Sequence, residues 1–110
     1  MITKKRQGSL LSLYWFPDSQ NVLVKRTVVK GTLGGYFLSP TTFHVTNVFT
    51  EPEWRNQGVA TALFTRLFLE LRKNKVTHVT LDDCSDTGRC YLKLGFAYVE
   101  HGYPEMELKL

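Results

Sequence analysis

One apolar stripe at helical spacing, set between two short β-like runs, constrains this chain more than any other feature. Leu63, Phe64, Leu67, Phe68 and Leu71 recur at i, i+1, i+4, i+5 and i+8, which predicts an amphipathic helix over Val59–Lys73. Thr42 to Thr50, ahead of it, reads as a strand with Val45, Val48 and Phe49 apolar. Val76 to Leu81, behind it, is short and β-branched. A strand–helix–strand unit of this kind implies a parallel pair joined by a right-handed crossover.

The remaining segments read as strands and turns. Ser9–Phe16 stops at the turn cluster Pro17–Asn21, and Val22–Val29 is β-branched. Gly31, Gly34 and Gly35 punctuate the chain before Tyr36–Leu38, and Ser39-Pro40 gives a further turn. With Thr42–Thr50 these make four strands in an antiparallel meander. Downstream, a short helix is expected over Thr87–Leu94, then a closing strand pair over Phe96–His101 and Glu105–Leu110.

The bounds are those of one domain spanning residues 1–110. No apolar run approaches the ~20 residues of a membrane span, so no membrane partner is expected. Met1–Arg6 is basic but no apolar segment follows, unlike a secretory signal. Cys84 and Cys90 give neither a disulfide nor a metal framework, and the histidines lack zinc-like spacing. The expected location is reducing, intracellular and cytoplasmic, with no bound metal. The net charge of +4 suits an anionic ligand. The cations are scattered without aromatic interleaving, which argues against nucleic acid as a partner.

Between strand and helix lies Arg55-Asn56-Gln57-Gly58-Val59-Ala60. A helix entered through a Gly turn leaves its first N–H groups unpaired, and these with the dipole's positive end suit a phosphate. Gly58 has no Cβ to hold an anion off the backbone. An ordinary strand-to-helix connection is the bland alternative.

This pattern resembles the GNAT superfamily of acetyl-CoA-dependent N-acetyltransferases. The family's phosphate loop is Gln/Arg-x-x-Gly-x-Gly/Ala, which Arg55–Ala60 fits. Val48–Trp54 resembles the strand end that enters this loop. Tyr91-Leu92-Lys93-Leu94-Gly95-Phe96 resembles the family's Tyr-x-x-x-Gly-Phe, and Met106–Leu110 its last strand. The resemblance covers about residues 34–110. It implies an α/β (α+β) fold: a mixed, mostly antiparallel twisted sheet of six to seven strands, its parallel central pair splayed to admit CoA, flanked by two helices. The family usually places two helices between its first and second strands, where they wall the acceptor site. Here only Pro17–Asn21 separates the first two strand candidates, so the site should be open or completed by another subunit. The final strand and the open flank offer edges for a homodimer.

The resemblance also implies roles. Acetyl-CoA is the co-substrate, its diphosphate on the loop Arg55, Asn56, Gln57, Gly58, Val59, Ala60 and Thr61. A bulge near the centre of Phe43–Thr50 would open the sheet for the pantetheine arm beside Thr50, with the Val48 N–H at the acetyl carbonyl. Tyr91 matches the general acid that protonates the departing thiolate. His44, four positions before Val48, stands where members carry a base. Its ordinary pKa of ~6.5 suits taking a proton from an amine of pKa near ~10. Asp82 and Asp83 are rivals for that role and would attract a cationic amine. Loop and helix-cap duty remains open for the aspartates, and a structural role for His44 and Tyr91. The activity implied is direct transfer of acetyl to a primary amine, either a small amine or a protein lysine or N-terminus. A non-catalytic acyl-CoA-binding module is the alternative.

Overall fold

The computed structural model describes residues 1–17, 28–82, 88–99 and 105–110. Seven strands among them form one sheet in the order β1-β2-β3-β4-β5-β7-β6. In chain order these are β1 (Ile2–Gln7), β2 (Leu10–Trp15), β3 (Gly31–Ser39), β4 (Thr42–Thr50), β5 (His78–Asp82), β6 (Ala97–Tyr98) and β7 (Glu105–Lys109). Helix α1 (Val59–Lys73) lies between β4 and β5, and α2 (Gly88–Lys93) between β5 and β6. The first four strands make an antiparallel meander, β4 and β5 run parallel, and β7 enters antiparallel between β5 and β6. This is the mixed, mostly antiparallel GNAT-like α/β sheet expected from the resemblance.

Two elements differ from the sequence reading. The basic N-terminal segment is itself a strand, β1, paired with β2 from Ile2↔Trp15 to Gln7↔Leu10. The first two strands of the chain are therefore joined by the tight turn at Gly8-Ser9. Of the strand expected over Val22–Val29, residues 22–27 lie outside the described residues, and Val28 and Val29 are in no strand. The glycines at 31, 34 and 35 do not break the chain but lie inside β3. Gly35 is there for space: a Cβ would sit 2.7 Å from the Phe43 ring and would collide with the His44 carbonyl. Glycine lets β3 approach β4 where no side chain fits.

The apolar stripe of α1 does what its spacing dictates. Val59, Leu63, Phe64, Leu67, Phe68 and Leu71 are buried with Leu11, Leu13, Leu33, Phe43, Val79, Leu81 and Met106 from the sheet. Phe64 also meets Tyr91 edge-on at 5.8 Å, and Phe64 and Phe96 lie at the same spacing, so both described helices share one apolar layer. The other sheet face carries Ser12, Tyr14, Tyr36, His44 and Thr80, none fully buried. Among the described residues no helix covers it.

Glu70 is the buried charge of this layer, 6% exposed. Arg66 Nε reaches it at 3.2 Å from one turn away, as the i, i+4 spacing anticipates. Lys4 Nζ also reaches it, at 2.9 Å from β1, so the pair is a tertiary tie. The hydrogen bond and charge of Lys4, helped by Arg66, hold the Glu70 carboxyl below its ordinary value of 4.5 against the opposing effect of burial. A depressed folded-state pKa gives stability that is present above the unfolded value and lost as pH falls through the folded one. Glu70→Gln is therefore expected to cost about 1–2 kcal/mol at neutral pH. The gap in Tm from the parent should close as the pH drops below 4.5. Thermal melts across that range check it, and a constant gap would reject the assignment.

Candidate active site

The site begins where β4 changes partners. Parallel pairing to β5 runs from Thr42↔His78 to Val45↔Leu81 and stops. On the other side, Gly34 pairs with Asn47 and Gly35 with Val45, so Thr46 is an extra residue and β4 bulges there. Thr46 Oγ1 donates to the Gly34 carbonyl at 3.4 Å. Past Val45, β4 has no further β5 partner among the described residues, where β5 ends at Asp82.

Between this free half of β4, the start of α1 and α2 lies a cleft of about 520 Å³. Val48 and Thr50 line it from β4, and Arg55, Asn56, Gly58, Val59, Ala60 and Thr61 from the loop and first helical turn. Tyr91 of α2 and Leu94 just past its end close it, while Trp54 and Phe64 add apolar wall. Nine sequence-selected residues, eight within 48–61 and Tyr91 far downstream, thus meet in one cavity. Gln57 instead lines a neighbouring open depression of about 400 Å³ with Lys30, Glu53 and Trp54, and its Nε2 donates to the Glu53 carbonyl at 2.9 Å.

The loop geometry follows from its residues. Asn56 and Gly58 both have positive φ, 62° and 83°, and they turn the chain sharply into α1. Gly58 is the N-cap and supplies no side-chain oxygen, and the first turn holds no acidic residue. The leading amides of α1 therefore keep their donors for another acceptor. Arg55 Nε donates to the Thr50 carbonyl at 3.0 Å, which sets a cation at the cleft mouth. The Val59 side chain is buried, so only its backbone belongs to the loop.

His44 lies before the bulge, outside the cleft and on the uncovered face. Its Nδ1 is 2.7 Å from Thr80 Oγ1 and its Nε2 is 3.5 Å from Asp82 Oδ2. Its side chain is 13% exposed and that of Asp82 62%, so the carboxylate meets solvent and the ring is sheltered. The Tyr36 ring is 5.6 Å away across β3. Asp83 lies outside the described residues. Sequence reasoning missed Thr80, because its place beside His44 depends on the β4–β5 register. It also missed Trp54, whose only signal was an aromatic within the loop entry.

Residues 17–98 match the model of the acetyltransferase (GNAT) domain, so the chain belongs to the GNAT acetyltransferase family. Among solved structures it is similar to the PaiA N-acetyltransferase from Thermoplasma acidophilum in complex with coenzyme A. That match has a TM-score of 0.76 and 18% identity over 93% of this chain, and the chain spans 62% of that enzyme's length. A GNAT-family acetyltransferase from Staphylococcus aureus matches with a TM-score of 0.76 and 14% identity, over 92% of this chain and 68% of its own. An aminoglycoside 6'-N-acetyltransferase complexed with coenzyme A matches with a TM-score of 0.71 and 14% identity, over 92% and 73%. No curated protein matches by sequence.

Proposed function

We propose that the chain transfers the acetyl group of acetyl-CoA directly to a primary amine. One observation carries this reading: the uncapped start of α1 opens into the same cleft as the free half of β4 and Tyr91. Backbone amides from Gln57 to Thr61 bind the diphosphate, with Arg55 beside them. The pantetheine arm lies along β4 past Thr46 and bonds the backbone near Thr50 like an added strand. The Val48 N–H stabilises the oxyanion that forms as the amine attacks. His44 takes the amine's proton, and Asp82, with Asp83 in the same segment, draws the cationic acceptor. Tyr91 returns a proton to the thiolate.

An acetyl-CoA consumption assay against polyamines, aminoglycosides, amino acids and lysine peptides tests the reading, with free CoA as the product measured. In an active pairing, Tyr91→Phe should lower kcat about tenfold, the low side for a general acid, because a thiol of pKa near ~8.5 leaves readily. Unchanged turnover would remove Tyr91 from the mechanism. The reading of a non-catalytic acyl-CoA-binding module draws on the uncovered sheet face around His44. It predicts calorimetric CoA binding with no transfer to any amine. We place the protein in the cytoplasm, as a reducing compartment suits its two unpatterned cysteines.

A further inference from the structure

We propose that a recess centred on Gly34, on the uncovered face of the sheet, holds the body of the acceptor and selects a monoamine with an aromatic ring close to its amino group. The inference rests on the acetyl-transfer reading and adds to it the class of acceptor.

Three glycines lie in β3, and two of them have a packing reason. A Cβ on Gly31 would sit 2.7 Å from Val59 Cγ1, and one on Gly35 would collide with the His44 carbonyl. Gly34 has no such reason. Its φ lies outside the left-handed region. A Cβ there would meet Ser12 Oγ at 3.5 Å, the Leu11 carbonyl at 3.8 Å and Asn47 Cβ at 4.0 Å, all ordinary contacts. The fold would accept alanine, so the missing side chain leaves room that packing does not claim.

Strand register shows what surrounds that room. Leu33 is buried in the core and Gly35 faces the Phe43 ring, so alternation turns Thr32, Gly34 and Tyr36 to the uncovered face. Ser12 of β2 and Asn47 of β4 flank Gly34, and Asn47 Nδ2 donates to Thr32 Oγ1 at 3.3 Å. These small and polar residues make a floor with Gly34 buried at its centre. Rings stand around it. Tyr14 of β2 and Phe49 of β4 flank Thr32, and Tyr36 stands two residues past Gly34. With strands ~4.8 Å apart the floor is about 10 Å across, room for one phenyl ring against aromatic walls. Phe49, 44% exposed, also lines the cleft that takes acetyl-CoA in the proposed function, so recess and cleft adjoin across the second half of β4.

Charge differs at the two ends of the recess. Asp82 stands on the β5 side, beyond His44. On the other side Lys5 of β1 pairs with Ser12 and continues the Gly34 row. An acceptor with its ammonium toward Asp82 and a neutral body over Gly34 meets no like charge. A polyamine laid the same way carries a second ammonium toward Lys5. A ring also gains more from three aromatic neighbours than an alkyl chain does.

Stability separates room from packing. Gly34→Ala should keep or slightly raise Tm, because alanine restricts the unfolded chain, whereas Gly35→Ala should lower it clearly. An equal fall in both would make Gly34 structural and overturn the proposal. Binding is read without turnover. In amide NMR spectra of the whole protein with coenzyme A added, phenethylamine should shift Ser12, Thr32 and Gly34. Gly34→Leu should remove the shifts at Ser12 and Thr32 while coenzyme A binds at parental affinity by calorimetry. Ser12→Leu, which fills the same space from β2, should act alike at Thr32. No shift in the parent, or the same shift in the filled variants, overturns the proposal. In acetyl transfer, kcat/KM should favour phenethylamine over n-butylamine and spermidine. Gly34→Leu should cut it about tenfold for phenethylamine and less for n-butylamine, which leaves part of the recess empty. A preference for spermidine or a lysine peptide, or an equal loss for both monoamines, overturns the selection. Absence of transfer to any amine, with the Gly34-dependent shifts present, would reject the function and leave the recess. Transfer that ignores Gly34 would do the reverse.

Discussion

Replacing Gly58 with valine is expected to abolish coenzyme A binding while the fold survives. A Cβ at this position meets no protein atom within 4 Å, so packing is not what the residue protects. Its φ of 83° is the left-handed region, where a β-branched residue carries strain of about 1–3 kcal/mol. For a domain this size that lowers Tm by roughly 5–15 °C and leaves one cooperative transition. The larger effect is on the ligand. The added methyl groups stand at the entrance to the amides of Val59, Ala60 and Thr61, and a phosphate held off by even an ångström loses most of its bonds to them. Calorimetry should detect no heat on adding coenzyme A to a variant that still melts cooperatively. Retained binding at parental affinity would displace the diphosphate from α1.

The second large effect is on chemistry. His44→Gln should lower kcat by about 10²–10³ near pH 7, within the usual contribution of a general base. Glutamine keeps a polar side chain of similar reach beside Thr80 but has no group that takes up a proton. Because His44 lies outside the cleft that runs to the helix start, KM for acetyl-CoA should not move. Raising the pH should recover part of the lost rate, since more of the acceptor then arrives already neutral. Steady-state kinetics across pH, with calorimetry on the same variant, separate these effects. An unaltered kcat would pass the base role to Asp82 or to water.

These expectations were legible to different depths. The bounds of β4 and α1 match the sequence reading residue for residue. Both elements have a strong period and sharp ends: Thr42 follows a turn, and Gly58 and Asn74 bracket the helix. The loop, Tyr91, Val48 and Thr50 were selected by local motif, and the cleft gathers all of them but Gln57. What failed was whatever depended on distant partners. Lys4-Lys5-Arg6 is exposed, as scattered surface cations should be, but the tie from Lys4 to Glu70 and the place of the Arg6 guanidinium 4.4 Å from the Phe37 ring centre had no local signal. Gly31 and Gly35 read as breaks because the neighbours that require them lie elsewhere in sequence: Val59 for one, Phe43 for the other. Thr80 had no local signal, because the parallel register that sets it beside His44 is fixed by the whole sheet.

The single surplus residue at Thr46 divides β4 into two halves with opposite duties. The first half is mortar, bonded on both flanks; the second, among the described residues, is a ladder whose rungs reach β3 alone. A vacant edge on a surface recruits any passing strand, and under the proposed function this one, lining a cleft beside the start of a helix, takes a slender guest. A rod of amides without branches slides in, whereas a peptide with side chains on both faces jams. Deleting Thr46 should put the strand back in step with β3, turning a tool into plain sheet. Under the proposed function, the straightened strand would lose its hold on a thioester.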